Sequence, residues 1–416
     1  MPVRRSLVAV LATIAAVAAA CGSSGGEAAV SAEQTTTSSG GSSGFVSCEV
    51  SREAGADGDE LERIPSTATE DVPSALDDRS NSAFPDPLVD IGRILSGGPP
   101  PDGIPAIEEP RFVPVAQVDY VADCEPVVVL SIDGQARAYP IHIMTRHEIV
   151  NDAFGDIPVT VTYCPLCSSA VAYDRRVGDR ILDFGTSGSL YNSALVMYDR
   201  QTESLWSHFT GQAIVGHLTG TELDTIPMAT VSYDSFREAY PDGYVLSRNT
   251  GYGIQYGANP YIGYDTEGTR PFLFDGEAPD DFADKERFIG VERNGETVAV
   301  QQELVFAEGV VPFTVGGDDL IAWIEPGTPS PLVSDTVSDG RDIGASGVFV
   351  PEVDGQPITF SRTQDGFVDD ETGSTWDVLG HATAGELAGA QLEAVAHLDT
   401  FWFAWTAFHP DTAVVD

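Results

Sequence analysis

The segment Val127-Val-Val-Leu-Ser-Ile132, Asp133-Gly134, Gln135-Ala-Arg-Ala-Tyr139 has the pattern of a β-hairpin. Two runs suited to strands flank an Asp-Gly pair, which is a common composition for a two-residue hairpin turn. Outward from this hairpin, further strands are predicted at Val159–Tyr163, Ala170–Tyr173 and Leu195–Tyr198, and short helices at Ile141–Val150 and Tyr233–Tyr240. The pattern therefore predicts a β-rich α+β fold.

An internal repeat extends this expectation over most of the chain. Asp199-Arg-Gln-Thr-Glu-Ser-Leu-Trp206 and Asp369-Asp-Glu-Thr-Gly-Ser-Thr-Trp376 share Asp, Thr, Ser and Trp at one constant offset. After a one-residue slip, Gly211, Ala213, Gly216 and Leu218 match Gly380, Ala382, Gly385 and Leu387. A repeated unit of this length predicts two related copies of one β-rich unit, packed with pseudo-twofold symmetry, over residues 110–280 and 281–416.

The copies differ where the chemistry is concentrated. The first copy has Val161-Thr-Tyr-Cys164 where the second has Val315-Gly-Gly-Asp318, and the second lacks a counterpart of Arg146-His147-Glu148. Features shared by both copies are expected to serve the architecture. Features found only in the first copy are the candidates for function.

The start of the chain is typical of an exported protein. Arg4 and Arg5 precede the apolar run Leu7–Ala20, so residues 1–20 are predicted to be a secretion signal. Small residues lead directly to Cys21, which predicts lipidation at Cys21 and attachment to the membrane; ordinary cleavage and a free secreted product is the alternative. Residues 21–109, rich in Gly, Ser, Pro and acidic residues, are predicted to form a flexible acidic tether in the extracytoplasmic cell envelope.

The charge of the chain limits its partners. The formal net charge is −43, and Lys285 is the only lysine. Such a surface disfavours nucleic acid, so an envelope partner or a small ligand is the expected partner. Solvation in salty surroundings and a bias in coding composition both account for the charge, and neither identifies a substrate.

Five cysteines divide by position. With Cys21 assigned to lipid, Cys48 and Cys124 flank the predicted tether and form a possible disulfide, while Cys164 and Cys167 remain as a local Cys-Pro-Leu-Cys pair. Three interpretations of this pair stay open. It binds a metal, it carries out thiol–disulfide exchange, or it is a static disulfide in a non-catalytic envelope binding module.

The metal interpretation requires ligands beyond the two thiols. His147, Met197 and His208 are the candidates from the first copy, and each also has a purely structural explanation as a helix-surface, core or buried polar residue. Cys, Met and His together outside the cytoplasm favour copper over zinc as the metal. The redox interpretation requires no cofactor, but a strand rather than a helix is predicted after Cys167.

Other enzyme classes find little support. Ser187-Gly188-Ser189 does not form a G-x-S-x-G nucleophile elbow, and the chain contains neither a phosphate-binding loop nor a dinucleotide fingerprint. Whether the protein is an enzyme is left open by the sequence.

Several motifs resemble one known family. They are His147-Glu-Ile-Val-Asn-Asp152, Thr162-Tyr-Cys-Pro-Leu-Cys167, Phe184-Gly-Thr-Ser-Gly188, Met197-Tyr-Asp-Arg200 and Ser204-Leu-Trp206. Together they resemble the bacterial and archaeal family called domain of unknown function 3179, over residues 110–275 and less closely through the second copy. The resemblance implies an exported setting, a shared fold and a site at these motifs, but it implies no reaction.

Overall fold

The fold was analysed in a computed structural model, which describes residues 44–49, 57–266, 268–364 and 366–416. Within these ranges the chain forms many short strands and four helices of seven residues each, so the predicted β-rich character is confirmed. The helices are α1 (Ile141–His147), α2 (Tyr233–Ala239), α3 (Gln302–Glu308) and α4 (Trp402–Phe408). None of the helices in the described ranges is long and apolar enough to cross a membrane.

The predicted hairpin forms the centre of the first sheet. Asp133 and Gly134 both have positive φ angles, 50° and 79°, as a tight hairpin turn between twisted strands requires. The sheet has five strands, of which Gln135–Pro140 and Tyr244–Leu246 are parallel. Their spatial order is Ala229–Ser232, Pro126–Ile132, Gln135–Pro140, Tyr244–Leu246 and Phe112–Pro114.

A second sheet carries the two cysteines and is called the cysteine sheet. It consists of four antiparallel strands in the order Thr225–Ile226, Ser169–Asp174, Ile157–Cys164 and Ile149–Phe154. Helix α1 leads into it through Glu148, which ends the helix in a left-handed conformation with φ of 60°. The helix end therefore fixes Glu148 beside the strand that ends at Cys164, where the Tyr163 N–H donates to the Glu148 carbonyl oxygen at 2.8 Å.

The strands from Leu95 to Leu246 are called the first half, and its third sheet contains the Asp199–Trp206 motif. Its antiparallel strands are Ala213–Val215, Leu205–Ser207, Ala194–Asp199, Phe184–Tyr191 and Leu95–Ser96. The buried Asp199 carboxylate accepts hydrogen bonds from Trp206 Nε1 at 2.9 Å and from the Thr202 N–H at 2.6 Å. Asp199 thus closes the turn between two strands and satisfies the indole N–H inside the core.

The strands from Arg287 to Val415 are called the second half, which contains three four-stranded sheets. The first has the order Leu398–Phe401, Arg287–Arg293, Glu296–Gln301 and Ala413–Val415. The second has the order Val310–Val315, Asp318–Glu325, Ala345–Val350 and Glu393–Ala394. The third has the order Phe360–Thr363, Gly366–Asp369, Thr375–Trp376 and Ala382–Ala384.

In the third of these sheets, Asp369 accepts from Trp376 Nε1 at 3.0 Å and from the Thr372 N–H at 2.6 Å. These are the hydrogen bonds that Asp199 makes with Trp206 and Thr202 in the first half. Three two-stranded ribbons complete the described strands, namely Phe45–Ser47 with Asp339–Arg341, Arg176–Val177 with Arg180–Ile181, and Glu352–Val353 with Gln356–Pro357.

Part of the segment for which composition predicts a tether packs on the folded chain. Residues 57–109 contain Ala75, Ile94 and Ile107, all of which are buried, and Leu95–Ser96 pairs with Ser189–Leu190 at a sheet edge. A disulfide joins Cys48 to Cys124 with a Cα–Cα distance of 6.0 Å. This segment contacts the fold because its few apolar side chains fill gaps on the surface of the first half.

One apolar cluster surrounds the cysteines and joins the two halves. It contains Cys164, Cys167, Met197 and Trp206 from the first half, together with Phe401–Trp405 from the second. The Cys-Pro-Leu-Cys turn therefore lies inside the protein, at the contact between the two halves.

Candidate functional site

The Cys-Pro-Leu-Cys turn connects two neighbouring strands of the cysteine sheet. Cys164 is the last residue of its strand and pairs with Ser169, the first residue of the next. Ser168 closes the turn with a positive φ of 53°. Two carbonyl oxygens of the turn are held from outside: Tyr264 Oη donates to Leu166 at 2.9 Å and Thr400 Oγ1 donates to Cys167 at 2.8 Å.

Both thiols of the turn are free and buried, with 2% of Cys164 and none of Cys167 exposed. Burial opposes ionisation of Cys164, but hydrogen bonds from the Cys167 thiol and from nearby backbone N–H groups outweigh it, so the pKa of Cys164 lies below its ordinary value. Burial, the hydrogen bond to Cys164 and the negative charge there raise the pKa of Cys167 well above its ordinary value. The pair therefore favours one thiolate, on Cys164, with the remaining proton on Cys167.

A chain of hydrogen bonds leads from Cys167 to His208. Cys167 Sγ lies 3.1 Å from Ser169 Oγ, which lies 3.0 Å from His208 Nε2. On the other side of the ring, His208 Nδ1 lies 2.7 Å from Thr162 Oγ1, whose own hydrogen is donated to the Val171 carbonyl oxygen at 3.1 Å. Because Thr162 has used its hydrogen, it accepts from Nδ1–H, which leaves Nε2 of a neutral ring to accept from Ser169.

His208 is held in this neutral form. Burial lowers its pKa to about 3, although a hydrogen bond at Ser169 opposes the shift. The imidazole is therefore a poor proton acceptor at neutral pH, and its role is to orient the Ser169 hydroxyl so that its oxygen faces the Cys167 thiol.

Glu148 is a second ionisable group beside the thiols. It is buried, and burial together with the charge of Cys164 raises its pKa to about 8, with a hydrogen bond from Tyr261 at 3.4 Å opposing the shift. At neutral pH the carboxyl is therefore mainly protonated and places no full negative charge beside Cys164. Ionisation of either group disfavours ionisation of the other.

His147 makes no hydrogen bond to the cysteines, Ser169 or His208 within the part of the chain that the structure describes. Its Nδ1 lies 2.6 Å from the Pro105 carbonyl oxygen and its Nε2 lies 2.6 Å from Tyr256 Oη. A carbonyl oxygen only accepts, so Nδ1 carries the proton and Nε2 accepts from Tyr256. Both ring nitrogens are occupied, and burial lowers the pKa of His147.

The remaining predicted ligand, Met197, lies fully buried in the apolar cluster that holds both cysteines. In the part of the chain that the structure describes, no three His, Cys, Asp or Glu side chains are placed to hold a metal ion together. Both nitrogens of His208 and of His147 already make hydrogen bonds. The residues around the turn therefore fit a dithiol better than a metal site with three or four ligands.

A cavity of about 520 Å³ borders the Cys turn. Leu166, which lies between the two cysteines in sequence, forms part of its wall, as do Glu148, Tyr261 and Tyr264. The remaining wall consists mainly of apolar side chains and glycines, and Arg270 and Lys285 are its positively charged members. A small molecule in this cavity would lie next to the turn, although the sulfurs themselves are covered.

The other predicted positions lie apart from this site. Cys48 and Cys124 form the disulfide described above. Cys21, the predicted lipidation position, lies outside the described residues.

Comparisons with known proteins identify the family of this chain and nothing more specific. The family model described as protein of unknown function (DUF3179) matches residues 101–412. The chain belongs to the DUF3179 family. None of the curated proteins and none of the solved structures matches the chain. Membership in the DUF3179 family agrees with the resemblance carried by the motifs around the Cys turn, and it brings no reaction with it.

Three contributors to the site were not singled out from the sequence. Ser169 follows directly from the hairpin, because a four-residue turn after Cys164 pairs it with Ser169. Glu148 was noted only as the neighbour of His147. Tyr261 comes from a distant loop, and no local pattern in the sequence connects it with the turn.

Proposed function

We propose that this DUF3179 member is a thiol–disulfide exchange protein in which Cys164 and Cys167 form the redox centre. The observation that carries the proposal is the asymmetry of the pair: two free thiols in one short turn, with the pKa of Cys164 lowered and that of Cys167 raised. Such asymmetry assigns the attacking sulfur to Cys164 and the resolving sulfur to Cys167.

The reaction proceeds in two balanced steps. The Cys164 thiolate attacks one sulfur of a small disulfide, forming a mixed disulfide and releasing the first thiolate of the substrate. Cys167 then attacks Cys164 Sγ, forming the Cys164–Cys167 disulfide and releasing the second thiolate. The proton of Cys167 passes to one released thiolate, and the other takes up from solvent the proton that Cys164 gave up on ionising. A dithiol reductant from outside the protein restores the starting state.

Burial restricts the substrate to small molecules. A disulfide on the surface of another protein cannot reach sulfurs that are 2% and 0% exposed. The cavity beside Leu166 and Glu148 admits a small molecule to the side of the turn. The proposal requires a movement that exposes the Cys164 sulfur to this molecule. Protonated Glu148 favours the thiolate there, because it adds no second charge.

We also propose that the two halves are copies of one unit and that only the first kept this chemistry. In support, each of the three four-stranded sheets of the second half has the same strand order as four strands of a sheet in the first half, with one parallel pair in corresponding places. By this strand order, Ile157–Cys164 corresponds to Asp318–Glu325, so Glu325 paired with Ala345 takes the place of Cys164 paired with Ser169. The corresponding strands of the second half are therefore joined without cysteines, which favours a chemical role for those in the first half.

We further propose that the protein is exported and is attached to the membrane by a lipid on Cys21. The Cys48–Cys124 disulfide supports it, because stable disulfides are typical of proteins outside the cytoplasm. Cys21→Ala should move the protein from the membrane fraction to the soluble fraction. Recovery of the unaltered protein in the soluble fraction would contradict the anchor.

The redox proposal is tested by trapping the intermediate. Reduced protein is treated with 2-hydroxyethyl disulfide, and its thiols are then counted by alkylation and mass spectrometry. Unaltered protein should lose two hydrogen atoms and become resistant to alkylation at both cysteines. Cys167→Ser should accumulate the mixed disulfide on Cys164, whereas Cys164→Ser should remain largely unmodified because Cys167 is not ionised.

The same preparations decide between the three interpretations of the turn. Copper and zinc are measured in protein purified without chelating resin, with Cys164→Ser and His147→Ala as comparisons. Stoichiometric metal that is lost in both variants would replace the exchange proposal with the metal interpretation. Thiols that neither react nor bind metal would leave only a structural role.

A further inference from the structure

The single lysine of the chain lies in the wall of the cavity, and none of the described carboxylates pairs with its charge there. Lys285 is 7% exposed, and its Nζ donates to the Tyr264 carbonyl oxygen at 2.7 Å and to Thr269 Oγ1 at 2.8 Å. Nζ also lies 3.6 Å from the centre of the Tyr264 ring. Among the described residues, no carboxylate lies within salt-bridge distance of Lys285, although the protein carries 64 acidic residues.

A buried ammonium group without a counter-ion is costly. An ammonium has three hydrogens to donate, and the two hydrogen bonds of Lys285 leave one of them with the face of the Tyr264 ring beside it but no oxygen acceptor. Burial lowers the pKa of Lys285, while Asp265 and Asp284 act on it at longer range in the opposite direction. A negatively charged group in the cavity would accept the third hydrogen and offset the cost of burying the charge.

Arg270 adds a second positive charge at the rim. It lines the same cavity and is exposed, and no described carboxylate pairs with it. The rest of the wall, including Leu190, Leu195 and Phe272, is suited to hydrocarbon. The cavity volume of about 520 Å³ lies within the range of sites that enclose small organic ligands.

We propose that the cavity binds a small, largely apolar molecule with one anionic group, which pairs with Lys285 and is attracted by Arg270 at the entrance. The remaining hydrocarbon would lie against the aliphatic and aromatic wall. This inference goes beyond the redox proposal and does not depend on it, because binding requires no reaction at the cysteines. If both proposals hold, the anion lies next to the Cys turn.

Isothermal titration calorimetry of the purified protein at pH 7 with octanoate, octan-1-ol and octylammonium tests the charge preference. All three probes share one hydrocarbon chain and differ in the head group. Octanoate should bind at one site and at least about tenfold more tightly than octan-1-ol, since a charge-assisted hydrogen bond contributes about 1.5–3 kcal/mol. Octylammonium should bind more weakly than either.

Two variants locate the preference in the cavity. Lys285→Gln keeps hydrogen-bond donors for Tyr264 and Thr269 but removes the charge, so the affinity for octanoate should fall about tenfold while that for octan-1-ol is unchanged. Arg270→Gln, on the exposed rim, should lower the affinity for octanoate by up to about fivefold, because exposed ion pairs contribute up to about 1 kcal/mol. Arg63→Gln makes the same change in net charge at an exposed ion pair with Glu109 and should have no effect.

Three results would overturn the inference. They are an absence of octanoate binding, equal binding of octanoate and octan-1-ol, and octanoate binding that neither Lys285→Gln nor Arg270→Gln weakens. Should Lys285→Gln prove misfolded by circular dichroism, Arg270→Gln decides the question, since a substitution at an exposed position leaves the packing of the cavity intact. The Cys164→Ser variant should bind octanoate normally, which separates this test from that of the redox proposal.

Discussion

Ser169 Oγ lies 3.1 Å from Cys167 Sγ, and this contact connects the turn to His208. When Cys167 ionises, the Ser169 hydroxyl turns from His208 to donate to the thiolate, and this hydrogen bond lowers the pKa of Cys167 against the stronger effects of burial and of Cys164. Ser169 therefore acts as a positioning residue for the second thiol. It makes the resolving sulfur more acidic than its buried surroundings alone would.

Ser169→Ala should raise the pKa of Cys167 further and slow its reaction. A hydrogen bond to a charged group contributes about 1.5–3 kcal/mol, so alkylation of Cys167 by iodoacetamide at a fixed pH should slow by about tenfold or more. The rate is followed by mass spectrometry across pH 6–10, where the profile of Cys167 should shift to higher pH.

A matched control is Ser207→Ala, since the buried Ser207 hydroxyl accepts from the Thr210 N–H instead. It should leave the alkylation profile of Cys167 unchanged. An equal slowing in both variants would indicate a general loss of packing and would contradict a specific role for Ser169.

The raised pKa of Glu148 predicts how the free energy of unfolding depends on pH between 4.5 and 8. The folded protein binds the proton of Glu148 up to about pH 8, whereas the unfolded chain releases it near the ordinary value of 4.5. The stabilisation is therefore fully present below pH 4.5 and is lost as the pH rises through 8. Over this interval, Glu148→Gln should reduce the decline in the free energy of unfolding by a few kcal/mol, of order the linkage expected for such a shift.

The measurement for Glu148 is denaturant unfolding at several pH values between 5 and 9. The amide of the variant can still accept the hydrogen bond from Tyr261, so packing changes little. Glu386→Gln, at an exposed position, should reproduce the decline of the unaltered protein. If Glu148→Gln declines just as steeply, Glu148 is not a protonated buried carboxylic acid.

Strand pairing explains which parts of the site the sequence could predict. The alternating runs around Asp133-Gly134 and the four-residue Cys turn are local signals, and the strands formed where those signals lie. Local pairing also brings Ser169 opposite Cys164, and it continues the register of Ile149 with Thr162 to Glu148 beside Tyr163. Counting residues along these hairpins could have identified Ser169 and Glu148.

The rest of the site depends on contacts that no local signal encodes. Thr400 and Tyr264 hold the Cys turn from far along the chain. The surroundings of His147 also depend on residues that are distant in the sequence. The absence of His147 from the second copy suggested a ligand for the cysteines, but its two ring nitrogens bond to Pro105 and Tyr256 instead.

The buried neutral His208 makes an opposite prediction at acid pH. Its pKa of about 3 in the folded protein lies below the ordinary 6.5, so the unfolded chain binds a proton that the folded protein excludes. This contribution is present above pH 6.5 and is lost as the pH falls toward 3. His208→Gln should therefore lose less stability between pH 6.5 and 4 than the unaltered protein does.

The comparison for His208 is His409→Gln, because burial also lowers the pKa of His409, to about 4. Both variants should flatten the acid decline, with the larger change for His208. Chemical unfolding at pH 4, 5, 6 and 7 gives the slopes. A steeper decline in His208→Gln would mean that the imidazole is protonated in the folded protein.

The final prediction concerns the two Asp–Trp turns. Asp199→Ala leaves the indole N–H of Trp206 and the backbone N–H of Thr202 without acceptors inside the core, and Asp369→Ala does the same to Trp376 and Thr372. Each unsatisfied buried donor costs about 1–3 kcal/mol, so each variant should lose about 3 kcal/mol or more in its free energy of unfolding. Because the two carboxylates make the same hydrogen bonds, the two losses should be similar. Asp370→Ala, at the exposed neighbouring position, should lose far less, and a large loss for Asp199→Ala with none for Asp369→Ala would contradict the equivalence of the two turns.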